Sequence, residues 1–337
     1  MPSQSVSPSA PSAPFAPPRA APPYLVVTGP TASGKSALAL ALARRWNGIV
    51  INADSLQVYR DLRILSARPG AADEARVPHR LYGVLDGAEA CSVARWLEMA
   101  GEAMAETRAQ GRLPVLCGGT GLYLKTARDG LAAVPPVPEA VRAEARARLE
   151  HDGPASLHAD LARRDPGMAE RLRPTDGQRI ARAWEVIVAT GRSLALWWQE
   201  PALCPPLPGR PLTVLVDPPR AVCRAACDAR LETMVRTGAL DEVARLLARD
   251  LDPALPVMRA VGLPELALHV EGSLSLPEAL ARAQAATRQY AKRQATWARH
   301  QLAPDRVISK RLDAQDSESE AAAMDNFIRQ FLLTPSA

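Results

Sequence analysis

A chain of 337 residues with 47% hydrophobic content can hold one large α/β domain with an insertion, or two domains, around a sizeable core. Its formal charge of +5 is mildly basic, which admits a polyanionic partner without requiring one. No run reaches the ~20 apolar residues of a membrane-spanning helix, which excludes that class of membrane protein.

Residues 1–23 alternate Pro, Ser and Ala, with no basic stretch or apolar run of a secretory signal. They are expected to form a disordered leader, and a cytoplasmic location is expected. The five cysteines (Cys91, Cys117, Cys204, Cys223, Cys227) contain no C-x-x-C pair. Cys223 and Cys227 are four apart on an expected helix, but no further pair completes a zinc site, so reduced thiols are expected.

Residues 24–28 are a short apolar, β-branched run of the kind that forms a buried parallel strand. It ends at Gly29, and Gly29-Pro30-Thr31-Ala32-Ser33-Gly34-Lys35-Ser36 then matches G-x-x-x-x-G-K-[ST] in full. An Ala- and Leu-rich helix follows, to Trp46. The glycines let backbone N–H groups curl round phosphate oxygens, and the helix N-terminus favours an anion. Lys35 supplies a point charge between phosphates, and the Ser36 hydroxyl reaches a Mg²⁺ ion. Only four of the 41 Lys and Arg residues are lysines, so a lysine at this position in an arginine-biased chain carries weight. The loop specifies a diphosphate or triphosphate ligand, not a reaction.

A second buried strand, 48–54, ends on Asp54, placed near the loop because ligands sit at the carboxyl ends of strands in such sheets. Its alternative role is a helix cap. Residues 80–85 read as a third strand, 92–110 as an amphipathic helix and 113–117 as a fourth strand. That strand runs into Gly118-Gly119-Thr120-Gly121, which either brings backbone close to a ligand or makes a tight turn. Prolines at 135, 136 and 138 mark a boundary. Residues 139–200 read as all-helical, with ten arginines and ten acids. Five prolines in 201–211 return the chain to a strand at 212–216. Helices are expected at 220–237, 239–250 and 277–302. On the last, Arg282, Arg288, Lys292, Arg293 and Arg299 share an arc of about 140° with Tyr290 and Trp297 at its edge. Such an arc suits a phosphodiester backbone or is a solvated face.

These elements predict an α/β fold with a P-loop NTPase-like parallel sheet, flanking helices and an all-helical insertion domain. The core comprises 24–138 and 205–310, the insertion 139–204 and a polar tail 311–337, with a short apolar helix near 320–332.

GPTASGKS (29–36), NADSLQVY (52–59), PHRLYGVLD (78–86), GGTGLY (118–123) and ATRQYAKRQATW (286–297), in this order, resemble the tRNA dimethylallyltransferases, also called tRNA isopentenyltransferases. The likeness extends over residues 24–302. It implies transfer of a dimethylallyl group from dimethylallyl diphosphate to N6 of the adenosine 3′ to the anticodon, position 37, of the tRNA anticodon stem-loop, by a Mg²⁺-dependent monomer. Asp54 would be the general base, and Thr120 would orient the amine or the leaving diphosphate. Residues 29–36 and Arg259 would stabilise that diphosphate. The family's RNA contacts carry over to Asp54, Ser55, Leu56, Gln57, Thr120, Arg142, Gln178, Arg179, Ile180, Ala181 and Arg182. They also carry over to Arg259, Ala260, Val261, Gly262, Leu263 and Pro264. The family usually has an aromatic and a basic residue where this chain has Leu263-Pro264.

Two other functions share the loop. In a small-molecule kinase, Asp54 would activate an acceptor hydroxyl and ATP would be the donor. In an RNA-binding NTPase module, Asp217 would hold the Mg²⁺. The second glycine turn and the basic helix argue against the kinase. The long separation between the loop and Asp217 argues against the module.

Overall fold

The computed structural model describes residues 22–200 and 202–334, so the expected leader lies almost wholly outside the described residues. The apolar run β1 (Pro23–Thr28) leads through the glycine loop into α1 (Lys35–Arg45). There follow β2 (Gly48–Asn52), α2 (Ala71–Arg76), β3 (His79–Arg80), α3 (Val93–Ala109), β4 (Leu113–Gly118) and α4 (Gly121–Asp129). β5 (Leu131–Ala132) and β6 (Ala202–Cys204) pair antiparallel and bracket the insertion. The insertion contains α5 (Glu139–His151), α6 (Gly153–Arg164), α7 (Pro166–Ala169), α8 (Gly177–Thr190) and α9 (Leu194–Trp197). The core resumes with β7 (Arg210–Val216), α10 (Arg220–Arg236), α11 (Ala239–Leu247) and a 3₁₀ turn, Pro256–Arg259. It ends with α12 (Leu263–Val270), α13 (Leu276–Gln301), β8 (Arg306–Ile308), α14 (Ala314–Ala323) and α15 (Asp325–Leu333). No described helix is long and apolar enough to cross a membrane.

The main sheet is parallel throughout, in the order β3-β2-β4-β1-β7-β8. Its central strands are buried on both faces, which is why they read as continuous rather than alternating apolar runs. On one face the core packs α1 with α14 and α15, through Leu38, Leu42, Ala321 and Ile328. On the other it packs α3 and α10–α13, through Trp96, Met104, Leu231 and Leu266. The insertion has its own core around Leu157, Leu161, Ile180 and Trp184. Register levels the carboxyl ends: Thr28 lies beside Gly118 and Leu215, and Asn52 beside Cys117. The loops that follow β1, β2 and β4 are therefore neighbours.

Two expectations change. The strand at 80–85 is only two residues long, because Leu81 (φ 65°) and Gly83 (φ 62°) turn the chain out of the sheet. The Leu81 carbonyl instead accepts from Asn52 Nδ2 at 3.0 Å. Nor is the region after 310 a separate tail. Arg306–Ile308 forms the edge strand, and α14 and α15 bury apolar residues against α1 and its sheet face.

Candidate active site

The phosphate loop is shaped by contacts on every side. Gly29 and Gly34 have φ of 156° and 98°, and a Cβ on them would meet the Val216 and Leu312 carbonyl oxygens at 2.3 and 2.2 Å. A side chain fits at neither position, so the glycines are required by both torsion and space. Thr31 N–H donates to Gln294 Oε1 (2.8 Å), Arg311 Nε to the Ala32 carbonyl (3.2 Å) and Leu312 N–H to the Ser33 carbonyl (3.0 Å). The segment after β8 thus braces the loop from outside. One group is left over. The buried Ser33 Oγ has no hydrogen-bond partner among the described residues, and of the eight such buried side-chain atoms it is the one that lies in the loop.

Beside the loop lies a cavity of about 70 Å³ lined by Lys35, Ser36, Asp54, Arg230, Thr287 and Tyr290, among others. Burial pulls the Lys35 ammonium below its usual range, and the Asp54 carboxylate opposes that shift. Burial likewise lowers Arg230, opposed by Cys227 and Asp54. Neither cation has an acid within ion-pair distance among the described residues. Asp54 is fixed by a turn of its own: its N–H donates to Asn52 Oδ1 (2.8 Å) and its Oδ1 accepts from Leu56 N–H (3.0 Å). Asn52 is in turn locked by the Trp96 indole, which donates to its carbonyl at 2.9 Å. Asp54 therefore forms a cap-like turn and also lines the cavity, and the two roles coexist.

The second glycine turn packs against protein. A Cβ on Gly118 would meet the Ala53 backbone at 2.1 Å, one on Gly119 would meet Gln294 Nε2 at 2.4 Å, and one on Gly121 would meet the Trp297 ring at 2.4 Å. This close packing sets Thr120 beside Asp54, with Thr120 Oγ1 accepting from Ser55 N–H at 2.9 Å. Gln294 ties both turns together, since its Nε2 donates to the Gly119 carbonyl at 3.0 Å while its Oε1 holds Thr31. Tyr290 lies against Thr120 and Gln294, and burial, then the Asp54 charge, holds its hydroxyl protonated far above the usual range.

On the outer side of α13 is a groove of about 1100 Å³, lined by Thr120, Lys125, Arg179, Tyr290, Lys292, Arg293, Trp297 and His300. The basic arc divides. Lys292 and Arg293 face this groove, whereas Arg288 pairs with Asp228 (2.7 Å) and Arg299 forms a forked pair with Asp217 (2.6 and 3.0 Å). The Asp217 carboxylate is thus engaged by an arginine. In the insertion, Gln178, Arg179 and Arg182 are exposed, but Ile180 and Ala181 are buried, because helical periodicity turns them into the insertion core. Arg142, Arg179 and Arg182 pair with Glu139, Asp176 and Glu185 at 2.8, 3.5 and 3.3 Å. In the 259–264 stretch Arg259 and Pro264 are exposed and Ala260 and Leu263 are buried. Val261 reaches the small cavity, whose lining does not include Arg259. Ser55, Leu56 and Gln57 are half-buried, the latter two in the lining of that cavity, and Gln57 Nε2 donates to the Ser66 and Ala67 carbonyls (2.9 and 3.0 Å).

Sequence reasoning missed Arg230, Gln294 and the bracing segment at 311–312. Only Gln294 carried a signal, since it lies inside ATRQYAKRQATW.

A phosphate loop at the carboxyl edge of a parallel sheet, facing a carboxylate across a small polar cavity, defines a P-loop enzyme of the group-transfer kind. Comparison with known proteins is more specific. The family model described as IPP transferase matches residues 57–301, and that described as Isopentenyl transferase matches 23–87. A tRNA dimethylallyltransferase of Rhodospirillum rubrum is 66% identical over 95% of this chain and 98% of its own. That of Rhodospirillum centenum is 53% identical over 90% and 95%. The crystal structure of the tRNA isopentenylpyrophosphate transferase from Bacillus halodurans aligns with a TM-score of 0.64 at 30% identity, covering 92% of this chain and 96% of that one. The chain belongs to the tRNA dimethylallyltransferase family and is a prenyltransferase; the kinase reading is not favoured.

Proposed function

We propose that the enzyme transfers the dimethylallyl group of dimethylallyl diphosphate to N6 of adenosine 37 in the tRNA anticodon stem-loop, acting as a monomer. The observation that carries this reading is the small cavity itself. It unites Lys35, Arg230 and the loop with Asp54, and it meets the groove at Tyr290. A diphosphate seated in the loop gives Ser33 Oγ its partner and offsets the two recessed cations. Adenine N6 is a weak nucleophile because its lone pair is delocalised into the ring. Asp54 takes one N6 proton as the N6–C1 bond forms and the C1–O bond to diphosphate breaks. Thr120, next to the protonated Tyr290, orients the amine. Lys35 and Arg230 meet the negative charge that grows on the leaving diphosphate.

The residues fit Mg²⁺. Ser36 is exposed and lines the cavity together with Asp54, and no cluster of three His, Cys, Asp or Glu occurs among the described residues. That suits an ion held mainly by diphosphate oxygens and water. When bound, it would neutralise part of the diphosphate charge.

The insertion, 139–204, and the groove suit the RNA. Arg179 approaches from the insertion, with Lys125, Lys292 and Arg293 from the core. The target base must leave its stack to reach Asp54, and stacking on Trp297 or Tyr290 would offset that cost. The test is to supply unmodified tRNA with labelled dimethylallyl diphosphate or with γ-labelled ATP. Label from the first should enter tRNA at adenosine 37; phosphate transfer from the second to any acceptor would overturn the proposal.

A further inference from the structure

We propose that Cys223 and Cys227 are an oxidisable dithiol beneath the phosphate loop: a peroxide oxidises Cys223, Cys227 closes a disulfide onto it, and the loop's hold on the donor weakens. The two residues lie one turn apart on α10 and are buried together with Ala291 against Ala32 of the loop. Both sulfurs lie within reach of the same acceptor, the Thr31 carbonyl, at 3.3 and 3.7 Å, and it takes a proton from one thiol or the other. Thr31 is thus held twice, by its N–H on Gln294 and by its carbonyl on the thiol pair.

The surroundings select Cys223 as the reactive sulfur. It lines a separate cavity of about 370 Å³ together with Arg220, Arg224, Arg288, Lys292 and Arg299, with no acid in that lining. This gives a small oxidant access; Arg288 and Arg299 are already paired with Asp228 and Asp217, and Arg220, Arg224 and Lys292 supply the positive charge around a thiolate. When Cys223 ionises, the Cys227 thiol donates to it instead of to Thr31, and this hydrogen bond, with the Lys35 charge, lowers Cys223 below its usual range against burial and the Asp217 carboxylate. The same hydrogen bond pushes Cys227 up and keeps it protonated. Cys117, by contrast, is pushed up to about 11 by burial.

The chemistry balances. The Cys223 thiolate attacks the peroxide O–O bond, giving a sulfenic acid and hydroxide. The Cys227 sulfur then attacks the sulfenic sulfur, an S–S bond forms, and water leaves. Two thiols are oxidised while one hydrogen peroxide becomes two waters. Side chains four apart on a helix have Cβ atoms about 5–6 Å apart, against roughly 3.5–4.5 Å in a disulfide, so the helical turn must tighten. Neither sulfur then has a proton for Thr31.

This inference rests on the assignment of the loop to the donor diphosphate. The experiment treats the full-length enzyme with hydrogen peroxide and reads two quantities. The first is linkage of tryptic peptides 221–224 and 225–230, which Arg224 separates. The second is the KM for dimethylallyl diphosphate. The expected result is a linked pair with KM raised on the order of tenfold, as for one lost loop anchor, and restored by dithiothreitol. Cys223→Ser, whose hydroxyl still donates to Thr31, should resist peroxide relative to its own untreated activity. Cys227→Ser should stop at a sulfenic acid trapped by dimedone. Absence of the linked pair, equal sensitivity of Cys223→Ser, or a linked enzyme with the parent KM would each overturn the proposal. Lys35→Ala measured alongside separates the two readings. If it leaves donor binding intact, the loop assignment has failed; if it abolishes binding while the linked enzyme binds normally, the dithiol proposal has failed.

Discussion

In the helical insertion the buried Asp160 carboxylate is enclosed by Arg148, Arg163 and Arg164 at 2.9, 2.8 and 3.2 Å and by the Trp184 indole N–H at 2.7 Å. In the cavity beside the phosphate loop, Lys35 and Arg230 are recessed with no acid in ion-pair distance, and Ser33 Oγ has no partner among the described residues. Each region desolvates charge, but around Asp160 it is compensated internally and beside the phosphate loop it is not. A desolvated cation without a counter-ion costs stability, and a site bears that cost when a ligand removes it. The contrast separates structural charge from working charge more reliably than residue type does, in a chain where arginine is common everywhere.

The largest effect should come from Asp54. Asp54→Ala removes the proposed base and should lower turnover on the order of 10²–10⁴-fold while leaving donor affinity nearly unchanged. Single-turnover rates with a donor-binding isotherm check this. A variant close to the parent in turnover would reduce the carboxylate to the turn it makes with Leu56.

The next contrast concerns stability. Burial opposes the charge on Asp160, yet the hydrogen bonds from Trp184, Arg148 and Arg164 hold its carboxyl well below the usual range. A depressed carboxylate contributes stability that is present above its unfolded value near pH 4 and lost as pH falls toward the folded value. The insertion should therefore loosen below about pH 4. Asp160→Asn should destabilise it by about 1–3 kcal/mol, since the Trp184 indole and half-buried Arg148 lose a charged acceptor while Arg163 and Arg164 can return to water. Lys35→Met should leave the melting temperature unchanged or slightly raised while abolishing donor binding. Calorimetry on both variants tests the comparison directly; a Lys35→Met protein as destabilised as Asp160→Asn would break it.

The same contrast explains what was legible in the sequence. The loop, Asp54 and Thr120 follow short strands, and parallel register alone brings those strand ends together. The long basic helix was visible from its periodicity. Arg230 was not, because nothing in its own helix distinguishes it from Arg220, Arg224 or Arg236; only packing of α10 beside the loop recesses it. The bracing by Arg311 and Leu312 was hidden for a similar reason, since their hydrogen bonds to the loop span about 279 residues of chain. The strand at 80–85 failed because Leu81 enters a left-handed turn that an apolar run does not announce.

Arg230 and Arg259 then separate by site. Arg230→Ala should raise the donor KM on the order of 10- to 100-fold, as expected for losing one charged hydrogen-bonding partner. Arg259→Ala, exposed and outside the cavity lining, should change the donor KM by less than about twofold. The reverse order would return the diphosphate to Arg259 and leave Arg230 as scaffold.

The smallest effect lies at the seam between the regions. Arg179 belongs to the insertion by sequence and pairs with Asp176 at 3.5 Å, yet its side chain remains 71% exposed and lines the groove. Arg182 pairs with Glu185 at 3.3 Å and is not among the groove-lining residues. Exposed helical pairs of this kind contribute only about 0.3–0.5 kcal/mol, so Arg179 can exchange its partner for a phosphate at little cost. Neutralising one phosphate contact should flatten the log–log salt dependence of tRNA affinity by about 0.7–0.9. Arg179→Ala should show that change with donor affinity unaltered, and adding Arg182→Ala should change the slope little further. The measurement is tRNA affinity against salt for the parent, the single and the double variant. A parallel slope in Arg179→Ala would assign this arginine to the internally paired insertion, leaving Lys125, Lys292 and Arg293 as the groove's phosphate contacts; a further equal step from Arg182 would extend the RNA surface along α8.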